Sequence, residues 1–187
     1  MPNGDRTGSA NPDDASAKGG VDTGSSVTIN KPVDELYRFW RHFENLPRFM
    51  RHLESVTALN NTRSHWVAKT PDDTKIEWDA DLIEERPNEL IAWCSVPGAE
   101  VDSAGEVHFE PAPGNRGTVV RLKLHHDPSA GALGAAIAKL FGQGQENQAV
   151  EDLRRFKQLM EAGEIATIEG QPRGERSLLG KVLSPTS

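Results

Sequence analysis

Residues 27–40 read Val-Thr-Ile-Asn-Lys-Pro-Val-Asp-Glu-Leu-Tyr-Arg-Phe-Trp, and two periodicities meet inside them. Val27 and Ile29 alternate with polar neighbours, which predicts a first or edge strand over 25–29. Asn30 is placed to cap a helix, Pro32 suits a first turn, and Asp34 and Glu35 favour the positive end of the helix dipole. Val33, Leu36, Tyr37 and Trp40 then fall at i, i+3, i+4 and i+7, giving one apolar face. A second short helix is expected over 43–50, with Leu46, Phe49 and Met50 on one side.

Outward from this stretch the period changes to two. Asn60-Asn61-Thr62, Pro71-Asp72-Asp73, Arg86-Pro87-Asn88, Pro97-Gly98 and 111–115 each mark a reversal. The intervals predict six strands near 53–59, 63–69, 75–85, 89–95, 102–110 and 117–126. Ile76, Trp78, Ala80 and Leu82 share one face while Glu77, Asp79 and Asp81 share the other. Val120, Leu122 and Leu124 likewise oppose Val119, Arg121 and Lys123. Such alternation belongs to an antiparallel sheet covered on one side. From about 130 to 165 the apolar residues return to helical spacing, from Leu133, Ile137 and Leu140 to Val150, Leu153, Phe156 and Met160. A kink or break is expected at Gly142 and Gly144. Glu151, Asp152, Arg154, Arg155 and Lys157 are expected on its solvated side.

The composition bounds what such a chain does. It has 187 residues, 36% hydrophobic and 26% charged, with a formal net charge of −7. Residues 1–24 are nearly all small and polar, so a disordered N-terminal tail is expected. Residues 169–187 are expected to be a flexible tail, basic from Gly170 onward, with one short apolar patch around Leu178 and Leu183. The folded unit is then 25–168. A single cysteine, Cys94, excludes a disulfide scaffold. No apolar run approaches the length of a membrane-spanning helix, and the first residues lack the apolar core of a secretory signal. A cytoplasmic location is the expectation. Without clustered cations in an acidic chain, nucleic acid is not expected as a partner.

The order of strand, two short helices, six antiparallel strands and one long helix is that of the START-like helix-grip superfamily. The stretch 27–40 resembles that family's first strand and helix, and Phe43-Glu44-Asn45-Leu46-Pro47-Arg48-Phe49-Met50 its second helix. Glu77-Trp78-Asp79-Ala80, Trp93-Cys94-Ser95-Val96-Pro97-Gly98 and Glu151-Asp152-Leu153-Arg154-Arg155-Phe156-Lys157 are similar to its bacterial polyketide cyclase/dehydrase and lipid-transport branch. The resemblance covers about 25–170. It implies an α+β fold in which a curved seven-stranded antiparallel sheet wraps around the C-terminal helix, with a hydrophobic cavity between them. No catalytic motif of the family stands out, so no catalytic residue is carried over.

Four Trp and one Tyr provide broad apolar faces with few polar handles, suited to a flat or lipid-like ligand. The predicted wall comprises Trp66, Trp78, Trp93, Phe109, Leu122, Leu133 and Ile137, with Trp40 and Phe43 at the helical end. His126 follows Leu124 on the apolar face and is the candidate polar group of the cavity. His125-His126-Asp127 does not read as a metal site, because adjacent strand residues point to opposite faces. His42 and His52, flanking the second helix, are expected to meet solvent, and His65 to face away from Trp66. Cys94 lacks a visible base or cationic setting and reads as structural. No cofactor motif is present. The leading expectation is a module that binds a hydrophobic small molecule or lipid. The rival is a cyclase/dehydratase, which needs at least two convergent polar residues in the cavity. A third reading is a stress- or envelope-associated interaction protein using the basic tail.

Overall fold

The computed structural model describes residues 21–127 and 145–163. The chain runs β1 (Val21–Ile29), α1 (Val33–Arg41), a 3₁₀ helix (Phe43–Arg48), β2 (Leu53–Ala58), β3 (Arg63–Lys69), β4 (Lys75–Arg86), β5 (Leu90–Ser95), β6 (Ser103–Pro111), a 3₁₀ turn (Pro113–Asn115), β7 (Thr118–His126) and α2 (Gln145–Ala162). Each strand of the six-strand run lies within a residue or so of its predicted limits. They form one antiparallel sheet in the order β1-β7-β6-β5-β4-β3-β2. The first strand therefore closes on the last, and the meander between them puts β2 at the far edge.

Three local expectations are corrected. β1 begins at Val21, four residues early, because Asp22, Thr23 and Gly24 pair with His125, Leu124 and Lys123. That pairing overrides a composition that reads as unstructured. Asn30 does not cap α1; its backbone N–H donates to Glu161 Oε1 at 2.8 Å, and Pro32 holds the cap position without a side-chain bond. The second short helix is 3₁₀ rather than α and ends at Arg48. The predicted tails and the first half of the long helix lie outside the described residues, apart from 21–24.

The core sits on the concave side. Val107, Phe109, Val120, Leu122, Ile76, Trp78 and Ala80 point inward and are buried. They are met by Leu36, Tyr37 and Trp40 of α1, by Phe43 and Leu46, and by Leu153 and Phe156 of α2. The C-terminal half of the helix is pinned on two sides. Lys157 Nζ donates to Thr28 O at 2.8 Å, and Arg155 Nε donates to Phe49 O at 2.9 Å. Phe39, off the predicted apolar face of α1, also packs, with its ring 5.9 Å from Phe156.

Candidate functional site: an aromatic wall and a buried polar rim

Directly opposed residues on neighbouring strands share a face, and Trp66 of β3 is registered against Trp78 of β4. Their rings stack at 5.9 Å and 27°, and Trp93 of β5 also stacks on Trp66 at 6.0 Å and 21°. Phe43 meets both Trp66 and Trp93 edge-on at 5.6 Å. The indole N–H of Trp66 donates to Ser64 Oγ at 2.8 Å on the same strand. Trp93 lies flat over Gly105 of β6: a Cβ there would come within 2.3 Å of its ring, so only glycine seats it without displacement.

Trp40 and Phe109 belong to a second cluster. Trp40 meets Phe156 at 5.0 Å and 89°, Phe49 at 5.1 Å and Phe109 at 6.4 Å. The Trp40 indole nitrogen is buried and makes no hydrogen bond among the described residues. Leu122 and His126 follow on β7, both buried and inward. Of the ten predicted wall residues the structure thus brings eight to the concave side; Leu133 and Ile137 lie outside the described residues.

The rim of the sheet at the start of β2 and the ends of β3 and β7 is different. His52, expected in solvent, has only 12% of its side chain exposed, and the Gln148 amide lies within hydrogen-bond distance of its Nδ1. Asp152, expected on the solvated side of α2, is fully buried. The reason is tertiary: this turn of α2 is covered by the connection between the 3₁₀ helix and β2, so its polar flank becomes an interior. Asp152 Oδ1 accepts from Arg155 Nη2 at 2.6 Å; Oδ2 accepts no hydrogen bond among the described residues and lies 3.8 Å from His52 Nδ1. Burial pushes the Asp152 carboxyl up to about 6, with the Arg155 hydrogen bond and charge opposing it. Burial, with the nearby His126 and Arg155 charges, pushes His52 down to about 3. His126 falls to about 4, through burial and then His125. The electrostatic reach of His126 to His52 places both histidines at one rim. The pocket that His52 borders is about 480 Å³ in volume, and Arg51, Lys69, Thr70, Gln148, Asp152 and Arg155 contribute to its walls.

The convex face carries the other half of the alternation. Glu77 and Asp79 flank His65, with Asp79 Oδ1 2.7 Å from Nδ1, and Asp81 takes Arg63 in a two-pronged pair at 2.7 and 2.9 Å. His65 is raised from its ordinary value, chiefly by the hydrogen bond to Asp79. Burial, with the charges of Asp81 and Asp102, raises Cys94 and keeps it a thiol. Tyr37 donates to Glu85 Oε1, which Arg41 also meets at 2.7 Å; the resulting desolvation and bonding raise the Tyr37 hydroxyl. Among the described residues no group of His, Cys, Asp and Glu is arranged to hold a metal ion, and no helix is long and apolar enough to cross a membrane.

A one-sided, strongly curved antiparallel sheet closed by a C-terminal helix defines a helix-grip protein. Residues 29–154 match the family described as polyketide cyclase / dehydrase and lipid transport, well over half the chain, and the protein belongs to that family. It is 31% identical over 137 residues to an uncharacterised 17.2 kDa protein of Streptomyces lincolnensis from the melC2-rnhH intergenic region, covering 73% of this chain and 87% of that one. A Deinococcus radiodurans protein of known crystal structure is 37% identical, with a TM-score of 0.62, over 76% of this chain and 98% of that one. The di-domain ARO/CYC StfQ from the steffimycin biosynthetic pathway is 18% identical with a TM-score of 0.57, over 77% of this chain and 51% of that one. That last likeness is one of fold.

Sequence reasoning missed His52, Gln148 and Asp152. The signal available for Asp152 was its place one residue before Leu153, at the border of the apolar stripe of α2.

Proposed function

We propose that the protein binds a hydrophobic small molecule, lipid-like or aromatic, between the sheet and the C-terminal helix. The observation that carries this reading is the wall of three stacked indoles bounded by a buried polar rim. Ordinary cores satisfy their polar atoms, whereas this interior holds a donor, Trp40 Nε1, and an acceptor, Asp152 Oδ2, that are buried without partners among the described residues. The family and its lipid-transport and cyclase members support the same class of ligand. Native mass spectrometry of the purified protein is expected to show a co-purifying apolar molecule. Titration with lipids and aromatic polyketides is expected to change the Trp fluorescence. No adduct and no fluorescence change across the panel would overturn the reading.

A second reading, a cyclase/dehydratase, is favoured by the rim alone. Enolisation of a poly-keto chain needs convergent acid–base groups, and His52, Asp152 and Gln148 converge. Turnover of a poly-β-ketone that is lost in Asp152→Asn with binding retained would support it. Equal product with and without the protein would exclude it.

A further inference from the structure

The rim pocket has a composition that an apolar carrier does not need. Arg51 and Lys69 stand on its wall from the connection before β2 and the end of β3, and Arg155 from α2. Arg51 makes no ion pair among the described residues, Lys69 is held by Asp73 at 3.0 Å, and Arg155 is shared between Glu151 and Asp152. Behind these cations sits the Asp152 carboxylate with one oxygen unused, and His52 lies 3.8 Å from that oxygen and on the same pocket. A carboxylate so placed has a vacancy for a proton, and protonation releases Arg155 from its charge partner.

We propose that this pocket takes the acidic head of the hydrophobic ligand, a phenol, enol or carboxylic acid, with Asp152 Oδ2 receiving its proton and Arg51, Lys69 and Arg155 meeting the anion left behind. The inference rests on the hydrophobic-ligand reading and names the polar end of that ligand. In the transfer the ligand's O–H bond breaks, the electron pair stays on the ligand oxygen, and the proton ends on Asp152 Oδ2. The net charge of the pocket plus ligand is unchanged, and one negative charge moves from the buried carboxylate to the head group. Oδ2 is inaccessible to the ligand itself, so His52 is the group through which the proton passes. The direction agrees with the electrostatics: burial makes Asp152 the stronger proton acceptor of the pair and His52 the weaker. Glu151, on the same helix, adds to the proton affinity of Asp152, while Arg155 and Arg51 oppose it.

The test uses the full chain with two probes, para-nitrophenol and para-nitroanisole, which share a ring but of which only the first has an acidic proton. The phenolate absorbs in the visible, so its bound ionisation state is read directly. In the wild-type protein the bound phenol is expected to ionise at a pH about one unit below the free probe, an approximately tenfold shift in equilibrium. In the wild-type protein that ionisation is expected to release no proton to an unbuffered solution, because Asp152 keeps it, whereas Asp152→Asn is expected to release one proton per phenolate formed and Asp152→Glu to behave as the wild type does. If Asp152→Asn does not fold, Arg51→Met carries the test, because it removes a cation that meets the anion and is expected to reduce the ionisation shift. Nitroanisole binding with no ionisation shift, or one proton released per phenolate formed in the wild type, would overturn the inference and leave the hydrophobic-ligand reading standing. Binding of neither probe would overturn both.

Discussion

On the concave face Trp66 stacks on Trp78 and on Trp93 at 5.9 and 6.0 Å, whereas at the rim His52, Gln148 and Arg155 gather around a carboxylate with one oxygen unbonded among the described residues. Both regions are buried, and burial means opposite things in them. For the indoles, removal from water is the stabilising term, about 25 cal/mol per Å² of apolar surface. For Asp152 it is a cost, offset only in part by one short bond to Arg155. A fold that keeps such a cost next to a well-packed wall is organised for something other than stability alone.

The comparison can be broken most directly at the wall. Trp66→Ala removes both stacking partners and the contact with Phe43 and is expected to cost about 3–5 kcal/mol in urea unfolding. A loss below about 1 kcal/mol would mean that the rings do not pack as a unit. At the rim, Arg155→Met is expected to cost about 3 kcal/mol near neutrality, because it strands the Asp152 charge in the interior. That cost should shrink at about pH 5, where Asp152 is protonated. An equal cost at both pH values would acquit Asp152. Gly105→Ala drives a methyl into the Trp93 ring and is expected to cost about 1–3 kcal/mol, with an altered near-ultraviolet circular dichroism band. An unchanged band would show that Trp93 does not lie on β6.

The pH dependence sharpens the contrast further. Asp152, near 6 in the fold and lower when unfolded, binds its proton more tightly when native. Its contribution therefore favours the fold at low pH and is lost as the pH rises through about 6. His52 and His126, near 3 and 4 in the fold, lie below ordinary histidine, so the unfolded chain takes up more protons and acid destabilises. Two histidines outweigh one aspartate, and stability is expected to rise between about pH 4 and 6. Asp152→Asn should steepen that rise by up to about 1.4 kcal/mol per pH unit, measured by urea unfolding across the window. A shallower slope would reverse the assignment. The smallest effect belongs to the convex face. Arg63→Ala, which breaks the exposed pair with Asp81, is expected to leave the thermal midpoint within error.

The strands were legible because each alternation, such as Ile76, Trp78 and Ala80 against Glu77, Asp79 and Asp81, is a local property with a period of two. The wall was legible for the same reason: Trp66, Trp78 and Trp93 each sit on an apolar phase of a strand. The rim was not, because its members come from the connection before β2, the end of β7 and a turn of α2, more than a hundred residues apart at the extremes. No periodicity relates them. His52 beside a short helix and Asp152 on the charged flank of another both read as surface.

By itself, then, the sequence determined the element order, the inner and outer phases of β4 and β7 and the aromatic character of the concave face. These follow from side-chain alternation and helical spacing, which are set within a few residues. Only the tertiary structure decided that β1 starts at Val21, that Trp93 lies on Gly105, and that Asp152 is buried. Each depends on which distant backbone lies alongside, since solvent exposure belongs to the packed assembly and not to the residue.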